Sequence, residues 1–127
     1  MSAPTLQASL PDTGWRDITG LLENGWTASP GHPGLRIRRI GALVSVQGEG
    51  LVPGTSTSLA VLPTGFKATG RAAASAYIGS GTLPIYGRAI GGAVQCNNTT
   101  SPAAWRDLTV NFFTTDPWPT VLPGLPA

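Results

Sequence analysis

Residues 35–46 read LRIRRIGALVSV and predict a β-hairpin. Two runs of alternating, partly β-branched residues flank the dipeptide Ile40-Gly41, which we interpret as a two-residue turn. Pairing about this turn sorts the side chains onto two faces: the apolar face holds the pairs Leu35–Val46 and Ile37–Val44, and the other holds Arg36–Ser45 and Arg38–Leu43. The stretch therefore predicts an antiparallel sheet with one buried face.

Short runs of similar character follow along the chain, between clusters of turn-forming residues. We predict strands at residues 58–62, 72–78, 85–90, 93–96 and 106–114. Gly or Pro interrupts almost every window of a dozen residues, and the best helical candidate, residues 71–77, is too short to be stable alone. The sequence thus predicts an all-β fold, an antiparallel sandwich or barrel.

The composition narrows the class of protein. The 127 residues suit one domain, and 11% of them are charged, against roughly 25% in an average soluble domain. Because so few charges are available to hydrate a surface, we expect much of that surface to contact protein. The formal net charge of +2 is too small to indicate a nucleic-acid partner. No apolar window has the length of a membrane helix and residues 1–11 lack the features of a signal peptide, so we expect synthesis in a cytosol and no membrane partner.

The two ends of the chain differ from its middle. Residues 1–12 are expected to form an extended N-terminal arm. Residues 116–127 hold four prolines, which exclude regular ladder pairing and favour an extended C-terminal tail: Pro117, Pro119, Pro123 and Pro126. Such ends usually fray in isolation, so we expect neighbouring chains to order them. The domain itself is then residues 13–115.

Few side chains suit acid–base or nucleophilic catalysis. His32 lies in a turn-forming loop, where an exposed or hydrogen-bonded residue is favoured over a catalytic base. Cys96, the single cysteine, is interpreted as a small half-buried side chain, since the sequence places no histidine beside it. Carboxylate pairs suited to sugar hydrolysis arise by chance among six acids: Asp17 with Glu23, or Asp107 with Asp116. We predict no catalytic residue, no metal site and no cofactor.

The densest run of charge is formed by Arg36, Arg38 and Arg39. Arg36 and Arg38 share the face opposite the apolar one, whereas Arg39 falls on the other face beside the turn. A solvated face, or salt bridges across a subunit boundary, is therefore favoured over nucleic-acid binding. We place Trp15 and Trp26 in the core, the alternative being a groove in which such rings stack on sugars.

One short segment occurs twice. Trp15-Arg16-Asp17-Ile18-Thr19 is nearly repeated as Trp105-Arg106-Asp107-Leu108-Thr109. The flanking residues do not match and no fixed period follows, so we interpret the two segments as separate strand starts with similar surroundings.

Four short motifs follow one another along residues 12–67, and their order carries a resemblance to a known family. Residues 12–18 hold a tryptophan strand, residues 24–27 an Asn-Gly-Trp turn, residues 35–48 an Arg-rich hairpin with Gly at its bend, and residues 62–67 a Leu-Pro-x-Gly-Phe segment. Together they resemble the β-rich head or knob domains of bacteriophage tail fibres, baseplate proteins and related virion appendages. None of these motifs is a catalytic signature.

The resemblance implies a small antiparallel β-sandwich, a jelly-roll-like knob, that usually forms a homotrimer within a virion and has no enzymatic activity. A fibre tip normally ends a long shaft, whereas only residues 1–12 precede this domain. The expectation is therefore a free-standing capsid decoration or cement protein, or an accessory knob of a tail. Its expected partners are copies of itself and other virion proteins, major capsid or tail proteins. Its expected location is the virion, after synthesis in the host cytoplasm.

Candidate residues follow from this hypothesis. The N-terminal arm would anchor to the virion through Pro4, Leu6, Leu10 and Pro11. The subunit interface would use Arg36, Arg38, Arg39, Ala73, Ala74, Tyr77 and Trp118. The alternative is a receptor-binding knob of a tail fibre, tail tip or baseplate that binds a host surface glycan, with Trp26 and Tyr86 as stacking residues. A polysaccharide hydrolase is disfavoured because the chain has few groups for proton transfer.

Overall fold

A computed structural model of the chain describes residues 10–78, 86–97 and 105–127. These residues form ten strands and one short 3-10 helix, Thr19–Leu21. The strands are β1 (Arg16–Asp17), β2 (Thr27–Ala28), β3 (Gly34–Ile40), β4 (Leu43–Val52), β5 (Ser58–Val61), β6 (Arg71–Ile78), β7 (Gly87–Ile90), β8 (Ala93–Cys96), β9 (Arg106–Phe113) and β10 (Leu125–Pro126). The predicted all-β antiparallel class is confirmed.

The strands follow one another in a single antiparallel sheet that curls into a half-barrel. Their order is β10-β1-β3-β4-β9-β6-β7-β8-β5, and β2 pairs with β4 beside this path. Strand β6 belongs to both halves of the sheet, because residues 71–74 pair with β7 and residues 75–78 pair with β9.

The hydrophobic core lies on one face of the curled sheet. Alternate residues of β3, β4 and β9 are buried, as the two-residue period of a strand requires. Leu35 and Ile37 are fully buried, whereas Arg36 and Arg38 lie on the outer face, so the predicted sorting of the hairpin is confirmed. Both halves of the sheet contribute to one cluster: Ile18, Trp26, Leu35, Ile37, Val44, Val46, Leu51, Leu59, Ala60, Leu62, Phe66, Ala89, Val94, Cys96, Leu108, Val110 and Phe112.

The register of the hairpin differs from the prediction by two residues. Ile37 lies opposite Val46 rather than Val44, because the turn is Gly41-Ala42 and not Ile40-Gly41. Gly41 has a φ of +56°, which suits the first central position of a type II′ hairpin turn. A shift of two residues leaves every side chain on its face, so the predicted pairs were wrong although the predicted faces were right.

Most other predicted strands are confirmed. Strands β5, β8 and β9 match their predicted ranges to within one residue, and the helical candidate at residues 71–77 lies inside strand β6. Strand β7 begins at Gly87, and Ile85 of the predicted range lies outside the described residues. Strands β1, β2 and β10 are two residues long, too short for alternation to reveal their bounds.

The proline-rich tail lies on its own chain, which corrects the expectation that a neighbouring chain orders it. Strand β10 pairs with β1, although we predicted that the prolines exclude ladder pairing. The pairing is tolerated because β10 is an edge strand. Arg16 also holds this end of the tail, since its guanidinium donates hydrogen bonds to the carbonyls of Pro123 and Gly124 at 2.8 and 3.1 Å.

Arg39 fastens the beginning of the tail. Its side chain lies on the buried face, as predicted, and is 6% exposed. It donates four hydrogen bonds to backbone carbonyls: Gly41 (2.8 Å), Gly65 (2.6 Å), Asp116 (3.0 Å) and Pro117 (3.1 Å). The Asp116 carboxylate in turn accepts from the backbone N–H groups of Gly65 and Lys67, both at 3.1 Å.

Part of the N-terminal arm is described. Pro4 and Leu6 lie outside the described residues. Leu10 is 65% exposed, and the Pro11 carbonyl accepts a 2.8 Å hydrogen bond from the N–H of Gly41 in the hairpin turn. The end of the arm therefore lies against the β3–β4 hairpin of its own chain.

Candidate binding groove

An open groove of about 330 Å³ lies on the outer face of the sheet, where β4, β9 and β6 run side by side. Its side chains come from cross-strand neighbours: Gln47 lies opposite Thr109, Thr109 opposite Ser75, and Asp107 opposite Tyr77. Gly48, Glu49, Ala76 and Leu108 complete the lining. Hydroxyl, amide and carboxylate groups therefore surround one aromatic ring.

A β-bulge shapes one end of the groove. The register of β4 against β9 shifts between Gly48 and Leu51, so that Glu49 and Gly50 together face Asp107. The Asp107 carboxylate accepts a 2.8 Å hydrogen bond from the N–H of Gly50 through Oδ1. This bond satisfies a backbone donor at the irregular point of the ladder and fixes the carboxylate at the edge of the groove.

Three aromatic rings form a row at the groove, in which the middle ring, Trp105, contacts the other two. The ring centroids of Tyr77 and Trp105 are 6.0 Å apart, and those of Trp105 and His32 are 5.6 Å apart. His32 packs against Gly50, which has a φ of +69° and where a Cβ atom would overlap the imidazole. Tyr77 remains 59% exposed although its neighbours hold it in place.

The charges at the groove are mainly negative. Glu49 and Asp107 contribute two carboxylates to the lining, and the Glu49 side chain is 48% exposed. Arg36 approaches Glu49 and Gln47 from one side, at 3.4 Å in each case. At this separation the guanidinium makes long hydrogen bonds, so the carboxylate of Glu49 keeps acceptor capacity for another donor.

Of the residues considered for catalysis, only Asp107 lines this groove. Cys96 is fully buried, and burial raises the pKa of its thiol to about 11, which makes the thiolate scarce near neutral pH. Asp17 accepts hydrogen bonds from the side chain and the backbone N–H of Thr19, which lower its pKa, and Asp116 holds the tail. No group of three His, Cys, Asp or Glu residues suited to a metal ion occurs in residues 10–78, 86–97 and 105–127.

The arginines predicted for a subunit interface have partners within their own chain. The guanidinium carbons of Arg36 and Arg38 lie 5.8 and 5.9 Å from the centroid of the Trp15 ring. Arg38 donates to both carboxylate oxygens of Asp12, at 3.0 and 2.6 Å, and this lowers the pKa of Asp12 to about 2. Trp15 is accordingly half-buried on the outer face, and its predicted place in the core is wrong.

The other predicted interface residues point in different directions. Ala73 is exposed, whereas Ala74 packs against the core, so the two alanines do not form one small-residue surface. Trp118 is 37% exposed and lies under Arg39, whose guanidinium carbon is 5.1 Å from its ring centroid. Tyr77 lines the groove.

The two predicted stacking residues differ in their exposure. Trp26 is 3% exposed and its indole N–H donates to the carbonyl of Ser56 at 2.7 Å, so its place in the core is confirmed and a stacking role is excluded. Tyr86 is 57% exposed just before β7, but it is not among the residues that line the groove. Sequence reasoning considered Asp107 only as part of a chance carboxylate pair, and it did not single out Glu49 or Trp105. Only the outward direction of Asp107 could be predicted, from alternation in β9.

The repeated segment does mark two strand starts with similar surroundings. Both Trp15 and Trp105 precede a strand and contact other side chains through their rings. Both following arginines donate through Nε to a backbone carbonyl, Arg16 to Pro123 and Arg106 to Asn97. They differ in burial, because Arg106 is fully buried whereas Arg16 is partly exposed.

A second exposed feature, the apolar patch, consists of Leu10, Ile40, Leu43 and Phe113. Leu43 lies opposite Ile40 on one side and opposite Phe113 on the other, which gives a row across β3, β4 and β9. The methyl groups of Leu10 lie beside the adjoining turn at Gly41. Phe113 is 69% exposed, so the patch presents a large ring to solvent.

Comparisons with known proteins gave no relative: no family model, no curated protein and no solved structure matches the chain. Across the part of the chain that the structure describes, no helix has the length and apolar character needed to cross a membrane.

Proposed function

We propose that this protein is a non-enzymatic structural protein of a bacteriophage virion, which assembles as a homotrimer and decorates the capsid. The observation that carries the proposal is the apolar patch. Its exposed leucine and phenylalanine side chains form one continuous row on a chain with very few charges. Exposed apolar surface of this kind favours contact with protein over contact with water.

The edges of the sheet favour assembly through this patch rather than by strand addition. At one edge, β10 is two residues long and ends in Pro126, which has no N–H to donate. At the other edge, the backbone of β5 already pairs with residues 22–23 of the same chain. The N–H of Glu23 donates to the Leu59 carbonyl at 2.9 Å, and Leu22 forms an isolated β-bridge with Ala60. A second chain therefore meets few free backbone groups at either edge, and side-chain burial must hold the copies together.

Light scattering after size-exclusion chromatography tests the assembly. We expect the wild-type protein to have three times the 13.0 kDa mass of one chain. Phe113→Ser removes the most exposed ring of the patch and should shift the protein to monomer. Val121→Ser is the matched control, because Val121 is 79% exposed but outside the patch, and it should leave the trimer intact. A wild-type protein that remains monomeric at high concentration overturns the assembly, and a dimer overturns the threefold symmetry.

Purified particles test the location. Mass spectrometry and gold-labelled antibodies should detect the protein on virions of the phage that encodes it. Particles that lack the protein should lose their DNA at a lower temperature than complete particles, because a cement protein adds contacts across the capsid surface. Absence from the particle overturns the virion assignment, and unchanged heat stability overturns the cementing role.

A further inference from the structure

We propose that the groove between β4, β9 and β6 binds a neutral saccharide, whose ring stacks on Tyr77 and whose hydroxyl groups donate hydrogen bonds to Glu49 and Asp107. The site is separate from the apolar patch and is formed by one chain. This inference therefore goes beyond the assembly proposed above and does not depend on it.

The aromatic ring at the groove supplies the stacking surface. A sugar ring presents C–H groups on one face, and these pack favourably against the face of an exposed aromatic side chain. Tyr77 is 59% exposed beside the groove, and Trp105 supports it from the side. The exposed ring is therefore available to a ligand that enters the groove.

The polar side chains that line the groove suit the hydroxyl groups of a sugar. Hydroxyl groups need acceptors, and each ionised carboxylate offers two acceptor oxygens that form stronger hydrogen bonds than neutral groups do. Glu49 and Asp107 provide these acceptors, while Gln47, Ser75 and Thr109 can both donate and accept. The volume of about 330 Å³ falls at the small end of ligand sites, which suits one or two sugar units rather than a long chain.

The binding surface is held in shape before any ligand arrives. His32 packs on Gly50 and against Trp105, and Trp105 contacts Tyr77. Asp107 is fixed by the N–H of Gly50. Because these contacts lie within one chain, little conformational freedom remains to be lost when a ligand binds.

The charges at the groove favour a neutral sugar over an acidic one. Two carboxylates line the groove, and the nearby cation, Arg36, already contacts Glu49 and Gln47. A uronate or phosphate group would therefore lie beside two carboxylates that repel it. An ammonium ion over the ring is the competing chemistry, and the experiment below separates it from a sugar.

Two-dimensional NMR of the 15N-labelled protein tests the inference. The neutral probes are cellotetraose, maltotetraose and N-acetylchitotetraose, the acidic probe is trigalacturonate, and the ammonium probe is tetramethylammonium chloride. We expect at least one neutral probe to shift the amide signals of residues 47–50, 75–77 and 107–109 in a saturable way. If no neutral probe binds, or if either charged probe binds more tightly than every neutral one, the inference is wrong.

Variants then assign the contacts. Tyr77→Ala should weaken the binding of the neutral probe at least tenfold, and Glu49→Gln should weaken it several-fold while leaving the fold intact. Tyr86→Ala is the matched control, because Tyr86 is equally exposed but does not line the groove. Unchanged binding in Tyr77→Ala, or an equal loss in Tyr86→Ala, contradicts the assignment.

One further variant separates this inference from the assembly proposal. Phe113→Ser disrupts the apolar patch but leaves every groove residue in place. Its affinity for the neutral probe should equal that of the wild-type protein, whatever its oligomeric state. Loss of binding in this variant would overturn a site built by one chain.

Discussion

Replacing Arg39 by alanine removes the side chain that joins three separate segments of the chain. Its guanidinium donates to the carbonyls of Gly41 in the hairpin turn, Gly65 in the loop after β5, and Asp116 and Pro117 in the tail. A hydrogen bond from a charged donor contributes about 1.5–3 kcal/mol. Gly65 is buried, but the other three residues are partly or fully exposed, so water replaces part of the lost interaction. We expect the free energy of unfolding to fall by about 3 kcal/mol in total.

Urea unfolding monitored by tryptophan fluorescence measures this loss. A change of this size corresponds to a fall of about 10 °C in the melting temperature of a domain of this length. Arg39→Lys keeps the charge but not the planar fork of donors, so its loss should be intermediate. Arg38→Ala is the neighbouring control, since it removes an exposed ion pair with Asp12, and should cost much less than Arg39→Ala.

Limited proteolysis reports on the tail itself. Thermolysin should cleave before Val121 faster in Arg39→Ala than in the wild-type protein, because the beginning of the tail is no longer fastened. Arg38→Ala should not change the rate. If Arg39→Ala lies within about 1 kcal/mol of the wild-type protein and its tail is cleaved no faster, the view that this arginine holds the tail is refuted.

Three further predictions concern single residues. Gly50→Ala should lower the free energy of unfolding in urea by about 2–3 kcal/mol, because the new Cβ atom overlaps His32 and the positive φ strains the backbone. Gly31 has a φ of +81° with open space around it, so Gly31→Ala should cost only about 1 kcal/mol. Equal losses in the two variants would contradict this. Cys96 should resist iodoacetamide at pH 8 until urea unfolds the chain, since burial raises its pKa to about 11, and rapid labelling of the folded protein would argue against burial. Arg38 lowers the pKa of Asp12 from 3.8 to about 2, so the folded state binds fewer protons than the unfolded state between these values. The stability from this carboxylate is therefore present above about pH 4 and lost as the pH falls towards 2. Asp12→Asn should remove that part of the pH dependence in urea titrations, and an unchanged slope would count against it.

The hairpin shows where sequence reasoning succeeds and where it stops. Alternation along β3 and β4 is local, so it identified the strands and the buried face correctly. Registers that differ by two residues bury the same side chains, so alternation cannot choose between them. The choice was made by the turn, where Gly41 takes a positive φ at the first central position and is followed by Ala42, so that Ile40 remains in the strand.

The tail and the groove depended on contacts between distant parts of the chain. Arg39 is separated from Asp116 by 77 residues, and nothing in a local pattern reveals that backbone carbonyls surround a buried arginine. The groove likewise arises because β9 lies between β4 and β6, which brings Tyr77 beside Asp107 and sets the bulge at Gly50 opposite it.

The amino-acid pattern by itself determined the class of fold, the positions of the main strands and the direction in which their side chains face, because each of these follows from a two-residue period read over a few neighbouring residues. The tertiary structure alone decided the register of the hairpin, the docking of the tail and the grouping of aromatic and acidic side chains in one groove on the outer face. These features depend on which strands become neighbours and on how buried polar groups find partners, and both are settled by the chain as a whole.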